Sequence, residues 1–111
     1  MEQINWQEFA QMDIRVGTVI EARHFPAARK KAYQLVVDFG AEMGTKKTSA
    51  QITELYEVND LTGKQVVAIV NFPPKQIANF MSECLILGAV DGAKVFLIAP
   101  DRPIKNGLKI G

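Results

Sequence analysis

The chain has 111 residues, of which 48% are hydrophobic, and a formal net charge of +1. This length is typical of one domain, residues 1–111, and the apolar content excludes a disordered chain. No apolar run approaches the ~20 residues of a membrane span. The N-terminus lacks the pattern of a signal peptide, and the single Cys84 cannot form an internal disulfide. We therefore expect a cytoplasmic protein without membrane insertion.

The first predicted elements are a short helix and a strand. Asn5 followed by Glu8 forms a capping-box pattern, which predicts a helix that continues to about Gln11. After this helix, alternate residues are apolar or small, which is the period of a half-buried strand. The alternation predicts that one face is formed by Ile14, Val16, Thr18, Ile20 and Ala22.

Five further strands follow from the rest of the chain. Tyr33, Leu35, Val37 and Phe39 alternate with more polar residues, and TKKTSA at 45–50 follows after a tight connection. Residues 51–63 predict one helical turn and a loop that ends at Gly63. The run QVVAIVNF predicts a central strand because it is apolar on both faces. ECLILGAV and KVFLIAP predict two strands joined at Asp91–Gly92, and the tail DRPIKNGLKIG should lie on the surface.

These elements have the order of an OB-fold, in which a helical turn connects the third and fourth of five strands. We therefore predict an all-β protein. Its core would be a five-stranded Greek-key barrel of the OB type, with a short N-terminal helix and extra strand elements at the C-terminal end. The pattern leaves another small barrel as the alternative.

Charge is unevenly distributed along the chain. Residues 23–47 contain six basic and two acidic side chains, whereas residues 48–63 contain three acidic side chains and no basic one. Because the net charge is close to zero, binding to a nucleic acid would depend on such local clustering. The alternative is that these charges are solvated loop ends.

Residues for catalysis are scarce. The only histidine, His24, has no acid or cysteine at the spacing of a metal site, and Cys84 is expected to be a small buried hydrophobic residue. The segment GAEMGTKKT differs from a phosphate-binding loop in its glycine spacing and precedes a strand instead of a helix. We therefore expect a protein that is no enzyme and that uses no metal or other cofactor.

Several longer segments resemble the tRNA-binding domain family. They are MDIRVGTVIEA, FPAARKKAYQLVVDFG, TSAQITELY, LTGKQVVAIVNFPPKQIANFMSECLILGA and PDRPIKNGLKIG. The family includes C-terminal domains of methionyl-tRNA synthetases and stand-alone bacterial proteins, some described as export-related chaperones. The segments more similar to the stand-alone members are SAQIT, VNFPP, IANFMSE and the ending NGLKIG. The resemblance implies an OB-fold, and commonly a homodimer formed through both chain ends.

The resemblance also implies a set of RNA-binding residues. The family positions associated with tRNA binding correspond here to Lys30, with Lys31 beside it, Asn71, Lys75 and Ser82. Lysine is a partner for phosphate, and the amide and hydroxyl groups can contact phosphate or a 2′-hydroxyl. Asn79 replaces a family glycine, and we expect it to supply a positive φ in the turn.

Three apolar residues near the same turn, Phe72, Phe80 and Met81, have alternative interpretations. Phe72 could fill the end of the barrel and Phe80 could be covered by a dimer partner. They could also bind unfolded or export-bound polypeptides, or stack on unpaired bases. Trp6 is expected in an interface or in the core. The sequence thus predicts a dimeric tRNA-binding protein with a chaperone (holdase) role, or alternatively a purely tRNA-binding accessory module.

Overall fold

A computed structural model describes all residues, 1–111. It begins with helix α1, Trp6–Ala10, for which Asn5 is the N-cap. The Glu8 backbone N–H donates to Asn5 Oδ1 at 2.9 Å, and the Asn5 N–H donates to Glu8 Oε1 at 3.2 Å. The predicted capping box is therefore confirmed, and Gln11 is the C-cap. Neither helix of the protein is long and apolar enough to cross a membrane.

Nine strands and a second short helix follow α1. Their bounds are β1 Ile14–His24, β2 Tyr33–Asp38, β3 Thr45–Ala50, α2 Val58–Leu61, β4 Gln65–Ile69, β5 Lys75–Ile77, β6 Phe80–Ser82, β7 Leu85–Ile86, β8 Gly88–Asp91 and β9 Lys94–Leu97. The main sheet is antiparallel with the order β3-β2-β1-β4-β7, and β3 lies beside β6 and β7, which nearly closes a barrel. This confirms the predicted all-β barrel of the OB type, with α2 between the third and fourth strands.

The core consists of two apolar clusters that both include residues of β1. The larger cluster fills the barrel and contains Val19, Leu35, Val37, Phe39 and Leu61 among its buried members. The smaller one lies outside the barrel, where Ile14, Val16, Val67 and Ile69 are covered by Phe9, Leu87 and Ile110. The first half of β1 is therefore buried on both faces.

The predicted face of β1 is wrong in its second half. Val19, assigned to the opposite face, is fully buried in the barrel, whereas Ile20 is 47% exposed. A β-bulge between Val19 and Glu21 shifts the register with β2, so that Ala22 packs against the barrel core instead of following Ile14 and Val16. A bulge adds one residue to one strand and thereby changes which side chains face the core.

The segment between β4 and β7 forms a small hairpin of β5 and β6. Ile77 pairs with Phe80, so the turn consists of two residues, Ala78 and Asn79. The expectation for Asn79 is wrong, because the positive φ of +53° belongs to Ala78. The left-handed residue of this turn is therefore Ala78, and not Asn79 at the position of the family glycine.

Two details of the C-terminal half also differ from the prediction. ECLILGAV forms two strands, β7 and β8, which are separated by Leu87. The Leu87 N–H donates to Val67 O at 2.8 Å, and the Leu87 carbonyl accepts from Ile98 N–H at 3.3 Å. Asp91 pairs with Lys94, so the β8–β9 turn is Gly92–Ala93 rather than Asp91–Gly92.

The C-terminal tail lies along β1, as predicted for a surface segment. Gly107 N–H donates to Val16 O at 2.7 Å, Val16 N–H donates to Leu108 O at 3.0 Å, and Ile110 N–H donates to Ile14 O at 2.8 Å. Gly107 has a φ of +91°, and a Cβ atom there would lie 2.5 Å from Phe39 O. This position therefore requires glycine for both conformation and space.

Candidate functional site

Three of the predicted RNA-binding positions carry exposed lysines that line two adjoining grooves. Lys30 and Lys31 belong to the β1–β2 loop, and Lys75 begins β5. We call the first groove, of about 800 Å³, the basic groove. It is lined by Ala27, Ala28, Arg29, Lys30, Ala32, Ser49, Gln51, Lys75, Gln76, Ile77 and Ala78. Because three cations and no carboxylate line it, the basic groove suits a polyanion.

The second groove, of about 560 Å³, is half hydrophobic and is called the apolar groove. Its apolar wall comes largely from the β7–β8 segment, where Leu85 is 47% exposed and Val90 is 73% exposed. Lys31 lies on its edge, and Lys30, Ser49 and Gln51 line both grooves. The structure thus brings Lys30, Lys31 and Lys75 to one side of the barrel, between a polar and an apolar surface.

Asn71 is not among the residues of the basic groove, and its side chain is used within the chain. Its Oδ1 accepts the Asp13 backbone N–H at 3.0 Å, and its Nδ2 donates to Gln11 O at 2.7 Å. The residue itself is exposed and lies two residues after the end of β4. The hydrogen bonds connect that strand end to the segment between α1 and β1.

Ser82 is buried below the basic groove, opposite Lys75 in the β5–β6 pairing. Its Oγ accepts the Ser49 backbone N–H at 3.0 Å and lies 3.3 Å from Thr48 Oγ1, which donates to Cys84 O at 2.7 Å. Side chains thus provide most of the hydrogen bonds between β3 and the segment 82–84, where the sheet has no regular strand pairing. We call this connection, formed by Thr48, Ser82 and Glu83, the barrel seam.

Glu83 completes the barrel seam by pairing with a single residue of β3. Its backbone N–H donates to Lys47 O at 2.7 Å, while its Oε1 accepts the Lys47 N–H at 2.8 Å. The carboxylate therefore takes the place of a neighbouring-strand carbonyl. This arrangement holds β3 and β6 together, and with them Ser49 and Lys75 of the basic groove.

Replacing Ser82 by alanine should destabilise the fold. The substitution removes the acceptor of the Ser49 N–H, and leaving a half-buried donor unpaired costs about 1–3 kcal/mol. We expect urea unfolding to show this loss. In contrast, Thr45→Ala removes an exposed hydroxyl from β3, the strand of Ser49, and should change stability by less than about 0.5 kcal/mol. Equal stability of the S82A variant and the native protein would contradict the seam.

The three apolar residues near the turn have different environments. Phe72 is 51% exposed and Met81 is 40% exposed, so Phe72 does not fill the end of the barrel. Phe80 is half-buried and packs against Phe25, with ring centroids 5.4 Å apart. Lys47 Nζ lies 5.4 Å from the Phe80 ring centroid, in the range of a cation–π contact. Phe72 and Met81 are therefore the members available to a partner.

Cys84 is buried, as predicted, and burial raises the pKa of its thiol to about 11. At pH 8 only about one thiol in a thousand would then be ionised, and the thiolate is the reactive form. We expect an alkylating reagent to modify Cys84 more than a hundredfold more slowly in the folded protein than in urea. Similar rates in both states would show that the thiol is accessible.

An additional apolar surface lies at the N-terminal end. Ile4, Asn5, Trp6, Phe9 and Gly111 line a groove of about 610 Å³. Trp6 is 83% exposed, which excludes the core position that the sequence left open, and its ring lies 6.3 Å from that of Phe9 in an edge-to-face arrangement. The outward position of Trp6 suits an interface with a partner.

Sequence analysis missed the groove residues that belong to no charged or aromatic motif. Leu85 and Val90 were indistinguishable from the rest of an apolar strand, and Ser49 and Gln51 from an ordinary strand end. Leu85 and Val90 lie in β7 and β8, on either side of the break at Leu87, and the sequence carried no clear signal for that break. Across the chain, no group of three or more His, Cys, Asp or Glu side chains could hold a metal ion.

Comparison with protein families gives one match that covers most of the chain. The model described as "putative tRNA binding domain" matches residues 14–109. Methionine–tRNA ligase of Pyrococcus horikoshii is 36% identical over 110 residues, and that of Methanocaldococcus jannaschii is 38% identical over 111 residues. Each match covers 99% of this chain but only 15% or 17% of the ligase. The chain thus spans about a sixth of the length of these relatives.

Solved structures of the same size are also similar. The chaperone CsaA of Bacillus anthracis is 47% identical with a TM-score of 0.94, and the match covers 99% of this chain and 100% of that one. The CsaA chaperone protein of Picrophilus torridus is 48% identical with a TM-score of 0.92, covering 98% and 100%. These similarities confirm the resemblance that the sequence motifs indicated.

Proposed function

Because the chain belongs to the tRNA-binding domain family, whose model matches residues 14–109, we propose that it binds tRNA through the basic groove. Lys30 and Lys75 would contact phosphates in the basic groove, and Lys31 would contact phosphate from the adjoining apolar groove. Ser82 would hold the basic groove in shape through the barrel seam. The observation that carries the proposal is a groove lined by three cations and no carboxylate in a chain whose net charge is only +1. Such a site depends on local charge, and its affinity should fall steeply with salt.

Fluorescence anisotropy of labelled tRNA tests this proposal directly. We expect saturable binding at about 50 mM salt and a loss of roughly 20- to 40-fold in affinity at about 200 mM salt, the range for three phosphate contacts. Absence of binding in low salt would overturn the proposal. In the cell the function requires a cytoplasmic location, where tRNA is present.

A homodimer formed through the N-terminal apolar groove is the second part of the proposal. Trp6 and Ile4 are 83% and 65% exposed, and the C-terminal Gly111 lies in the same groove. A two-fold interface would bury this face against its own copy, which is the usual way to form a small oligomer. Sedimentation at micromolar concentration should give twice 12.3 kDa, and a persistent monomer would contradict this part.

A holdase role for unfolded or export-bound polypeptides is the third part. It is supported by the CsaA chaperones of similar fold and by exposed apolar side chains, those of the apolar groove and those of Phe72 and Met81. The alternative is an accessory module that binds tRNA alone. Identification of the RNA and polypeptide that copurify with the protein distinguishes them, because the alternative requires RNA without polypeptide.

A further inference from the structure

The side chain of Asn71 joins two parts of the chain that are distant in sequence. Its amide oxygen accepts the Asp13 N–H at 3.0 Å and its amide nitrogen donates to Gln11 O at 2.7 Å. The adjacent Val70 N–H donates to Asp13 O at 2.8 Å. Three hydrogen bonds thus fix residues 11–13, the junction between α1 and β1, to the end of β4.

Helix α1 has few other contacts that determine its position. It has five residues, none of them buried, and a helix of this length is unstable in isolation. Phe9 is the helix residue that packs on the outer apolar cluster, while Trp6 is directed outward. The orientation of Trp6 and Phe9 therefore depends on the Phe9 packing and on the hydrogen bonds from Asn71 at the C-terminal end of the helix.

We propose that Asn71 is a positioning residue, which holds α1 in the orientation needed for the homodimer, and that its effect on tRNA binding passes through the dimer. This inference rests on the homodimer of the proposed function. The Asn71 amide uses both its oxygen and its nitrogen on Gln11 and Asp13, and it lies outside the basic groove. A direct RNA contact would have to use the remaining N–H or lone pair of an amide whose orientation these two hydrogen bonds fix.

Two substitutions separate the hydrogen bonds. Asn71→Ala removes both, whereas Asn71→Asp keeps the acceptor for the Asp13 N–H and places an oxygen against Gln11 O. If the bond to Gln11 matters, both variants should dimerise more weakly. We expect the dimer dissociation constant, measured by sedimentation without RNA, to rise about tenfold or more for two lost hydrogen bonds. Amide exchange at Asp13 should become faster in N71A and confirm that the junction is released.

The dependence of tRNA binding on protein concentration distinguishes positioning from contact. Above its own dimer dissociation constant, N71A should bind tRNA as the native protein does; below it, binding should weaken. Lys75→Gln is the matched control, because it should lower tRNA affinity at every concentration and leave the dimer unchanged.

Three results would overturn the inference. The first is an N71A dimer that is as stable as the native one and shows unchanged amide exchange at Asp13. This result would leave the proposed homodimer intact and remove the role of Asn71. The second is weakened tRNA binding by N71A at all concentrations with a native-like dimer, which would identify Asn71 as an RNA contact. The third is a native protein that is monomeric at all concentrations, in which case the homodimer itself is wrong. Thermal unfolding of both variants checks that they remain folded.

Discussion

Replacing Lys30 and Lys31 by glutamate is expected to weaken tRNA binding about a hundredfold or more at low salt. Each replacement changes the local charge by two units, and a unit charge 4 Å from a phosphate is worth about 1 kcal/mol even in bulk water. A tenfold change in affinity corresponds to about 1.4 kcal/mol. A change of four charge units should therefore lower the tRNA affinity more than any single substitution in the basic groove. Both lysines are exposed, so the fold should tolerate the change.

The salt dependence tests whether these lysines contact phosphate. Loss of two phosphate contacts should reduce the slope of log affinity against log salt by about 1.4–1.8. Lys64→Glu with Lys105→Glu is the matched control, because it changes net charge equally at exposed lysines that line neither groove. If both double variants lose the same affinity, the effect belongs to net charge and the basic groove is not the binding site.

Sequence analysis could locate strands that are buried on one face. In β2 the buried residues Tyr33, Leu35 and Val37 alternate with partly exposed ones, so the period of two is visible in the sequence. The start of β1 is covered on both faces, and a bulge then changes its register, so the same kind of pattern gave the wrong face for Val19 and Ile20. Neither the covering tail nor the bulge has a signal within the strand itself.

The candidate site was predictable in part for a similar reason. Lys30 and Lys31 lie in a locally basic segment, and solvated charges keep the same role wherever their loop is placed. The polar residues depend on partners elsewhere in the chain: Asn71 contacts residues 58 and 60 positions away, and Ser82 contacts Ser49, 33 positions away. The family resemblance could identify these residues as functional candidates. Their hydrogen-bond partners, however, became visible only in the folded structure.

The holdase role predicts a different response to substitution. Phe72→Ser with Met81→Ser changes the exposed apolar pair, and Leu85→Ser with Val90→Ser changes the wall of the apolar groove. Phe80 is left in place because it packs against Phe25, and its loss would disturb the hairpin. Burying a full apolar side chain is worth roughly 1.5–3 kcal/mol, and these four side chains are between 40% and 73% exposed before any partner binds.

Whichever pair contacts the polypeptide, its serine variant should bind an unfolded client about ten- to a hundredfold more weakly, while tRNA affinity stays within about twofold. The other pair then serves as the matched control, with the same chemical change on a different surface. Suppression of client aggregation and tRNA anisotropy, measured on both variants, give this comparison. Full holdase activity in both variants would remove these surfaces as polypeptide sites and favour the accessory module that binds tRNA alone.

Salt separates the two activities in the native protein. Salt screens the attraction between exposed lysines and phosphates, whereas it does not weaken the burial of apolar surface. Raising salt from about 50 to 500 mM should therefore abolish tRNA binding while the protein still suppresses aggregation. The Lys30→Glu, Lys31→Glu variant should behave at low salt as the native protein does at high salt, with tRNA binding lost and client binding kept. If a serine pair lost both ligands while the protein remained folded and dimeric, tRNA and polypeptide would share one surface, and the separation of a basic and an apolar groove at Lys30 would have no functional meaning.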